Sequence, residues 1–168
     1  SRKAAPGSLF VAVRGFASDG HSYIATALEK GACAVVYEDQ EMADAQIQQS
    51  GRTDVTMIKV ESSRYALAII AANFYDNPSE KLTLVGITGT NGKTTTTELI
   101  NEILSNEHKC FKCGNVGVPF INYVEKISKN DVPVIEVSSF QLEDIFKFKP
   151  HIAVITNLGV DHLDRYKT

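Results

Sequence analysis

Short apolar runs alternate with polar or amphipathic stretches along the chain, and this rhythm predicts strands alternating with helices. Residues 9–13 read as a strand, residues 14–20 as a polar loop, and residues 21–30 as a helix that stops at Gly31. Residues 34–37 read as a second strand, 41–49 as a polar helix and 55–60 as a third strand. Residues 63–75 then read as a helix with Tyr65, Ile69 and Ala72 on one face. Asp76, Asn77, Pro78 and Ser79 interrupt the rhythm with turn formers, so a domain boundary is expected there, between residues 1–79 and 80–168.

Beyond it, Leu82, Leu84, Val85 and Ile87 predict a buried strand, followed by a glycine turn and a helix from Thr94 to about Asn106. A short strand reaches Cys113, and a glycine turn at residues 114–117 leads to a predicted helix over 119–128. Two apolar strands follow, at 134–137 and 152–156. The fold class expected is α/β: a small α/β domain, then a parallel-sheet domain built on a phosphate loop. Ligands of such sheets lie beyond the carboxyl ends of the strands. Three polar clusters should therefore converge: the glycine turn, residues 136–139, and Thr156-Asn157 through Asp161-His162.

The glycine turn carries the chemistry. Gly86-x-x-Gly89-x-x-Gly92-Lys93-Thr94 departs from the strict P-loop spacing, which would require glycine at Ile87, but it keeps the strand, turn and helix. Gly89, Thr90, Asn91 and Gly92 let backbone amides approach an anion at a helix start. Lys93 adds a point charge, and Thr94, followed by Thr95, supplies a hydroxyl for Mg²⁺. A nucleoside triphosphate is the ligand expected, against the plainer reading of a glycine-rich turn with a surface lysine. Thr94 and Glu136 suit a cation that takes oxygen ligands. Glu136 also reads as a salt-bridged surface carboxylate, and His162, between Asp161 and Asp164, as a solvated loop histidine. His21, His108 and His151 belong to no constellation and read as structural.

Composition narrows the partners. A net charge of −3 gives no general attraction for nucleic acid or an anionic membrane. No apolar stretch approaches the roughly 20 residues needed to span a bilayer, so a cytoplasmic protein is expected. Three cysteines suggest no disulfide framework. Cys110-x-x-Cys113 has the spacing of half a zinc site or a redox pair, but the remaining cysteine, Cys33, is distant, and ordinary strand and loop cysteines are the expectation.

GITGTNGKTTT, EVSS and NLGVDHLDRY together resemble the Mur ligases, ATP-dependent enzymes that build the peptide of peptidoglycan precursors. Residues 1–82, with SRKAAPGSLFVAVRGFASDGHSYI, are similar to the ligase that adds the third residue, lysine or diaminopimelate. Residues 113–168, with GNVGVPF, EVSSFQLED and DHLDRY, are similar to the ligase that adds D-glutamate, and this reaction is favoured. The third-residue ligase would carry histidine where Phe140 stands, and a threonine-rich substrate loop not found here. The resemblance implies ATP and Mg²⁺ as cofactors and a UDP-N-acetylmuramoyl-peptide and an amino acid as substrates. A substrate carboxylate attacks the γ-phosphate, and an amino group then displaces phosphate from the acyl phosphate.

Carried over by position, Lys93 and His162 are catalytic, and residues 89–95 bind ATP. Thr94, Glu136 and His162 serve the metal. Asn115, Gln141 and His162 would meet the muramoyl part; Ser1, Phe16, Ala17 and Ser18 would hold the uridine diphosphate, with Arg2 assisting. Ser1 also reads as a frayed terminus. The family's carbamylated lysine and amino-acid-binding domain lie beyond Thr168, so a fragment inactive by itself is expected. The intact enzyme is expected to be a monomer, and the fragment's open sheet edge to favour self-association. Alternatives are a third-residue ligase, a noncatalytic or engineered nucleotide-sugar-binding chimera, and a folylpolyglutamate synthetase relative.

Overall fold

In the first unit, β1 (Leu9–Val11), β2 (Ala34–Tyr37) and β3 (Thr56–Lys59) form a parallel sheet in the order β1-β2-β3. The inner strand β2 carries Val35, Val36 and Tyr37, all buried, as expected of a parallel strand covered on both faces. Helices α1 (Ile24–Glu29) and α2 (Gln40–Ser50) supply Ile24, Ala27, Leu28 and Ala43 to one core with Ala12, Val35 and Tyr37. Asp39 caps α2 by accepting from Met42 N at 3.1 Å, and Gly51 ends it in the left-handed conformation at φ 66°. The helix expected over 21–30 begins as a single 3-10 turn, Gly20–Tyr23, before becoming α1.

The computed structural model describes residues 3–15, 18–143, 145 and 147–163, and the chain divides into two compact units, Ser1–Ile70 and Ala71–Thr168. The division falls within α3 (Ser63–Phe74). Only Ser63 of this apolar helix is buried; Ile69 and Ala72 are half-buried and Tyr65 is exposed. Of the turn formers at 76–79, Asp76 and Asn77 stand at positive φ, and Pro78 and Ser79 open the short helix α4 (Pro78–Lys81).

The second unit is a parallel sheet in the order β5-β6-β4-β7, made of β4 (Val85–Thr88), β5 (Cys110–Gly114), β6 (Val132–Glu136) and β7 (Ile152–Ile155). Alternation along β4 and β6 splits their side chains between two cores. Val85, Ile87, Val132 and Val134 pack with Ile100 and Leu104 of helix α5 (Lys93–Leu104). Leu82, Leu84, Cys113 and Ile135 pack with Phe120, Tyr123 and Ile127. The strand begins at Val85 rather than Leu82, although Leu82 and Leu84 are buried ahead of it. Leu84 is held there by His151, which donates through its backbone N to Leu84 O at 2.9 Å and accepts Leu84 N at Nδ1 at 3.3 Å.

The helix expected over 119–128 does not form; a 3-10 turn, Phe120–Asn122, is followed by further turns. Asn, Tyr, Val and Ile crowd this stretch and favour helix weakly. Phe120, Tyr123 and Ile127 anchor it to the sheet, and Asp131 Oδ2 takes Ser128 N at 2.8 Å. A short helix not expected from the sequence, α6 (Ser139–Leu142), follows β6.

Candidate functional site

All four strands of the second sheet run the same way, so their carboxyl ends share one edge. At that edge lies a cleft of about 390 Å³ lined by Thr90, Asn91, Gly92, Lys93, Thr94, Thr95, Asn115, Glu136, Ser138, Asp161 and His162. Four segments that the sequence sets apart therefore meet in space. Gly92, at φ 79°, turns the chain into α5, whose first N–H groups have no acceptor within the helix and lie at the positive end of its dipole. Gly89 stands at φ 130°, a region L side chains avoid, and is not among the residues lining the cleft.

Lys93 Nζ donates to Gly89 O at 2.8 Å and Thr90 O at 2.9 Å, closing the loop around its own ammonium. Thr97 Oγ1 donates to Lys93 O at 2.8 Å, one turn below. Glu136 ends the buried strand β6 at only 3% exposure. Its Oε2 accepts the Thr94 hydroxyl at 2.9 Å, and its Oε1 lies 3.5 Å from Asn115 Nδ2. It is thus not the salt-bridged surface carboxylate that the sequence also allowed: among the described residues no lysine or arginine pairs with it. A buried carboxylate with one hydroxyl and one long amide contact is poorly compensated, and such a group favours a nearby cation.

The donor set suits Mg²⁺, which takes oxygen ligands and retains waters. Among the described residues no group of three or more His, Cys, Asp or Glu gathers as a metal cage, so the remaining ligands of such an ion would be water and phosphate oxygens. His162 stands at φ 52°, with its ring edge-on to Phe140 at 5.2 Å and its Nε2 3.8 Å from Asp161 Oδ2. Its backbone N donates to Asp161 Oδ1 at 2.8 Å.

Gln141 is placed differently from the other expected site residues. Its Oε1 accepts Ser138 N at 2.9 Å in a capping box at the start of α6, and it is not among the residues lining the cleft. The Ser138-x-x-Gln141 spacing is the sequence signature of that box. Ser138 and Asp161 line the cleft although no role was assigned to either. Cys113 sits in the core, where burial pushes its thiol up to about 12, so at neutral pH it is neither a thiolate ligand nor a nucleophile.

In the first unit, Ser1, Arg2, Phe16 and Ala17 lie outside the described residues, as does Asp164 in the second. Ser18 is exposed, and its carbonyl accepts Gly15 N at 3.0 Å. Beside this loop His21 is fully buried: Nδ1 meets Asp19 Oδ1 at 2.6 Å, and Nε2 accepts Glu38 N at 3.0 Å and Asp39 N at 3.2 Å. Those partners fix the proton on Nδ1. Arg14 Nη2 reaches Asp39 at 2.7 Å, and its Nε lies 3.4 Å from Asp19 and 3.9 Å from Glu38. Burial works to raise the Asp19 carboxyl, but hydrogen bonds from His21 and the charge of Arg14 outweigh it and hold the group below its ordinary range. Glu38 is likewise lowered, burial being outweighed by the Ser63 hydroxyl and backbone N–H, with Arg14 adding to the effect.

Comparisons with known proteins follow the same division. The family model described as Mur ligase family, catalytic domain, matches residues 1–75, and that described as Mur ligase middle domain matches residues 87–168. A UDP-N-acetylmuramoyl-L-alanyl-D-glutamate--2,6-diaminopimelate ligase of Clostridium tetani (strain Massachusetts / E88) is 37% identical over 193 residues, covering 100% of this chain and 38% of the relative. The protein of the same name from Cytophaga hutchinsonii is 54% identical over 100 residues, covering 60% of this chain and 19% of the relative. Among solved structures, MurF ligase from Thermotoga maritima in complex with ADP matches with a TM-score of 0.67 at 29% identity, over 96% of this chain and 37% of that one. MurF from Acinetobacter baumannii shares the fold, with a TM-score of 0.64 at 23% identity over 96% of this chain and 35% of that one. The chain spans about 38% of the length of the full-coverage relative from Clostridium tetani.

Proposed function

We propose that this chain, which belongs to the Mur ligase family, provides the ATP loop and UDP-substrate unit of an enzyme adding diaminopimelate to UDP-N-acetylmuramoyl-L-alanyl-D-glutamate. The D-glutamate preference drawn from the central motifs gives way to the third-residue alternative, because relatives matched along the whole chain carry the diaminopimelate name. The observation that carries the nucleotide assignment is the buried Glu136 carboxylate bonded to the Thr94 hydroxyl beside the start of α5.

In this reading the polyphosphate lies against the first amides of α5, and Lys93 exchanges its bonds to Gly89 O and Thr90 O for phosphate oxygens. Thr94 and Glu136 are the residues that would hold Mg²⁺, which when bound neutralises charge on the phosphate oxygens. Their arrangement reduces the repulsion that a substrate carboxylate meets on approaching the γ-phosphate. His162 and Asn115 border the side from which that carboxylate arrives. Residues 1–79 then serve as the uridine-nucleotide domain and residues 80–168 as part of the ATP-binding domain. A cytoplasmic site fits this chemistry, and among the described residues no helix is long and apolar enough to cross a membrane.

The test is calorimetry with two muramoyl nucleotides in the presence of Mg-ADP. Tighter binding of the L-alanyl-D-glutamate form than of the L-alanine form is expected. The reverse order would restore D-glutamate addition, and no response to Mg-ADP would remove the nucleotide assignment.

A further inference from the structure

The residues after β7 fasten the phosphate loop. Thr156 N donates to Thr88 O at 2.9 Å, continuing the pairing of β7 with β4 one residue beyond the strand. Asn157 then turns its side chain onto the loop: Oδ1 accepts Asn91 N at 2.9 Å, and Nδ2 donates to Asn91 O at 2.9 Å. The main-chain O of Asn157 accepts Thr90 N at 3.2 Å. One carboxamide thus offers Asn91 the donor and acceptor that a neighbouring strand would offer.

Adjacent contacts reinforce it. Thr156 Oγ1 donates to Asn91 O at 2.7 Å, and Thr90 Oγ1 accepts Gly159 N at 2.8 Å. A Cβ on Gly89 would fall 2.3 Å from Thr156 Oγ1 and 2.8 Å from Asn157 O, so the two segments touch nearly backbone to backbone. Four residues after Asn157 the same segment delivers Asp161, and then His162, to the lining of the cleft.

We propose that Asn157 is a positioning residue: it holds residues 89–92 in the shape that receives a nucleotide polyphosphate, and it ties that shape to the segment bearing His162. The inference rests on the nucleotide reading given above. Asn157 engages the Asn91 N–H, which leaves the phosphates to the amides at the start of α5 and to Lys93. Without the clamp the loop samples other shapes, and apparent affinity falls by the fraction of time spent in the competent one.

The experiment compares this chain with Asn157→Ala, Asn157→Asp and Lys93→Ala, titrating Mg-ADP by calorimetry and following amide hydrogen exchange without nucleotide. Asn157→Ala is expected to weaken Mg-ADP binding about tenfold, the scale of one lost hydrogen-bonded constraint, and to speed exchange at Asn91. Asn157→Asp keeps the acceptor for Asn91 N but sets a carboxylate oxygen against Asn91 O. It should retain protection at Asn91 and still lose affinity. Protection across β4 and β6 should match the parent in both variants; its general loss would make the role merely structural and overturn the proposal. Parent-like affinity in both Asn157 variants, with Lys93→Ala clearly weakened, would also overturn it. If the parent binds no Mg-ADP, the nucleotide reading fails instead, and unchanged Asn91 exchange in Asn157→Ala would independently refute the clamp.

Discussion

Each unit ends its parallel strands in a cluster of charged side chains, but the two clusters are completed differently. In the first unit Arg14 faces three carboxylates, and His21 spends both ring nitrogens on protein partners. In the second, among the described residues, Glu136 has a hydroxyl and a long amide contact, and the Lys93 ammonium touches only carbonyl oxygens. A cluster whose charges answer one another braces a fold. One whose cation and anion are kept apart is open to a ligand carrying both phosphate and metal.

That contrast can be broken most decisively at His21. Replacing it with Phe leaves Glu38 N and Asp39 N without their acceptor in a buried place. The first unit should lose about 3 kcal/mol, at roughly 1–3 kcal/mol per unsatisfied group. Urea unfolding monitored by exchange of the β2 amides measures this, and a loss near zero would mean that the network is not a brace.

Lys93→Ala comes next. It should weaken Mg-ADP binding about fiftyfold, in keeping with charge-assisted hydrogen bonds worth roughly 1.5–3 kcal/mol, with little change in thermal midpoint. A smaller effect is expected of Glu136→Gln: about a tenfold loss for Mg-ADP but none for metal-free ADP, since the amide keeps the shape and removes only the charge. Equal losses with and without metal would deny Glu136 its cation.

The smallest effect concerns pH. Asp19 and Glu38 titrate below their ordinary values of 3.8 and 4.5, so the stability they contribute is fully present above those values. It is lost as pH falls through the lowered folded values. In acid titration of the first unit, the stability difference between the parent and Glu38→Gln should therefore be constant from neutrality to about the ordinary carboxylate range and shrink below it. An identical acid limb in the variant would show that Glu38 contributes nothing to the brace.

Backbone order was more legible in the sequence than side-chain pairing. The run Ala34–Tyr37 and the stop at Gly31 are local signals, and the structure has β2 at those residues and Gly31 at φ 93°. Residues 119–128 misled because a glycine turn followed by Pro119 suggested a helix start, whereas Phe120, Tyr123 and Ile127 are anchored by tertiary packing of an irregular segment. The gathering of Thr94, Glu136 and His162 followed from strand polarity, which motif order reveals. The grip of Asn157 on Asn91 joins positions 66 apart and has no periodicity to announce it. The substrate assignment misled for another reason: short central motifs pointed to D-glutamate, while relatives matched along the whole chain carry the diaminopimelate name.

Gly114, at the tip of β5, has φ 117°, and a Cβ there would meet the carbonyl oxygen of Glu136 at 2.1 Å. Asn115 N donates to that same oxygen at 2.8 Å, so the two strand tips are laced together at the height of the carboxylate. A saturation library would therefore find position 114 as intolerant as a ligand contact although it is not among the residues lining the cleft. An inactive Gly114 variant should be interpreted as a displaced shelf beneath Glu136, and not as a lost recognition group.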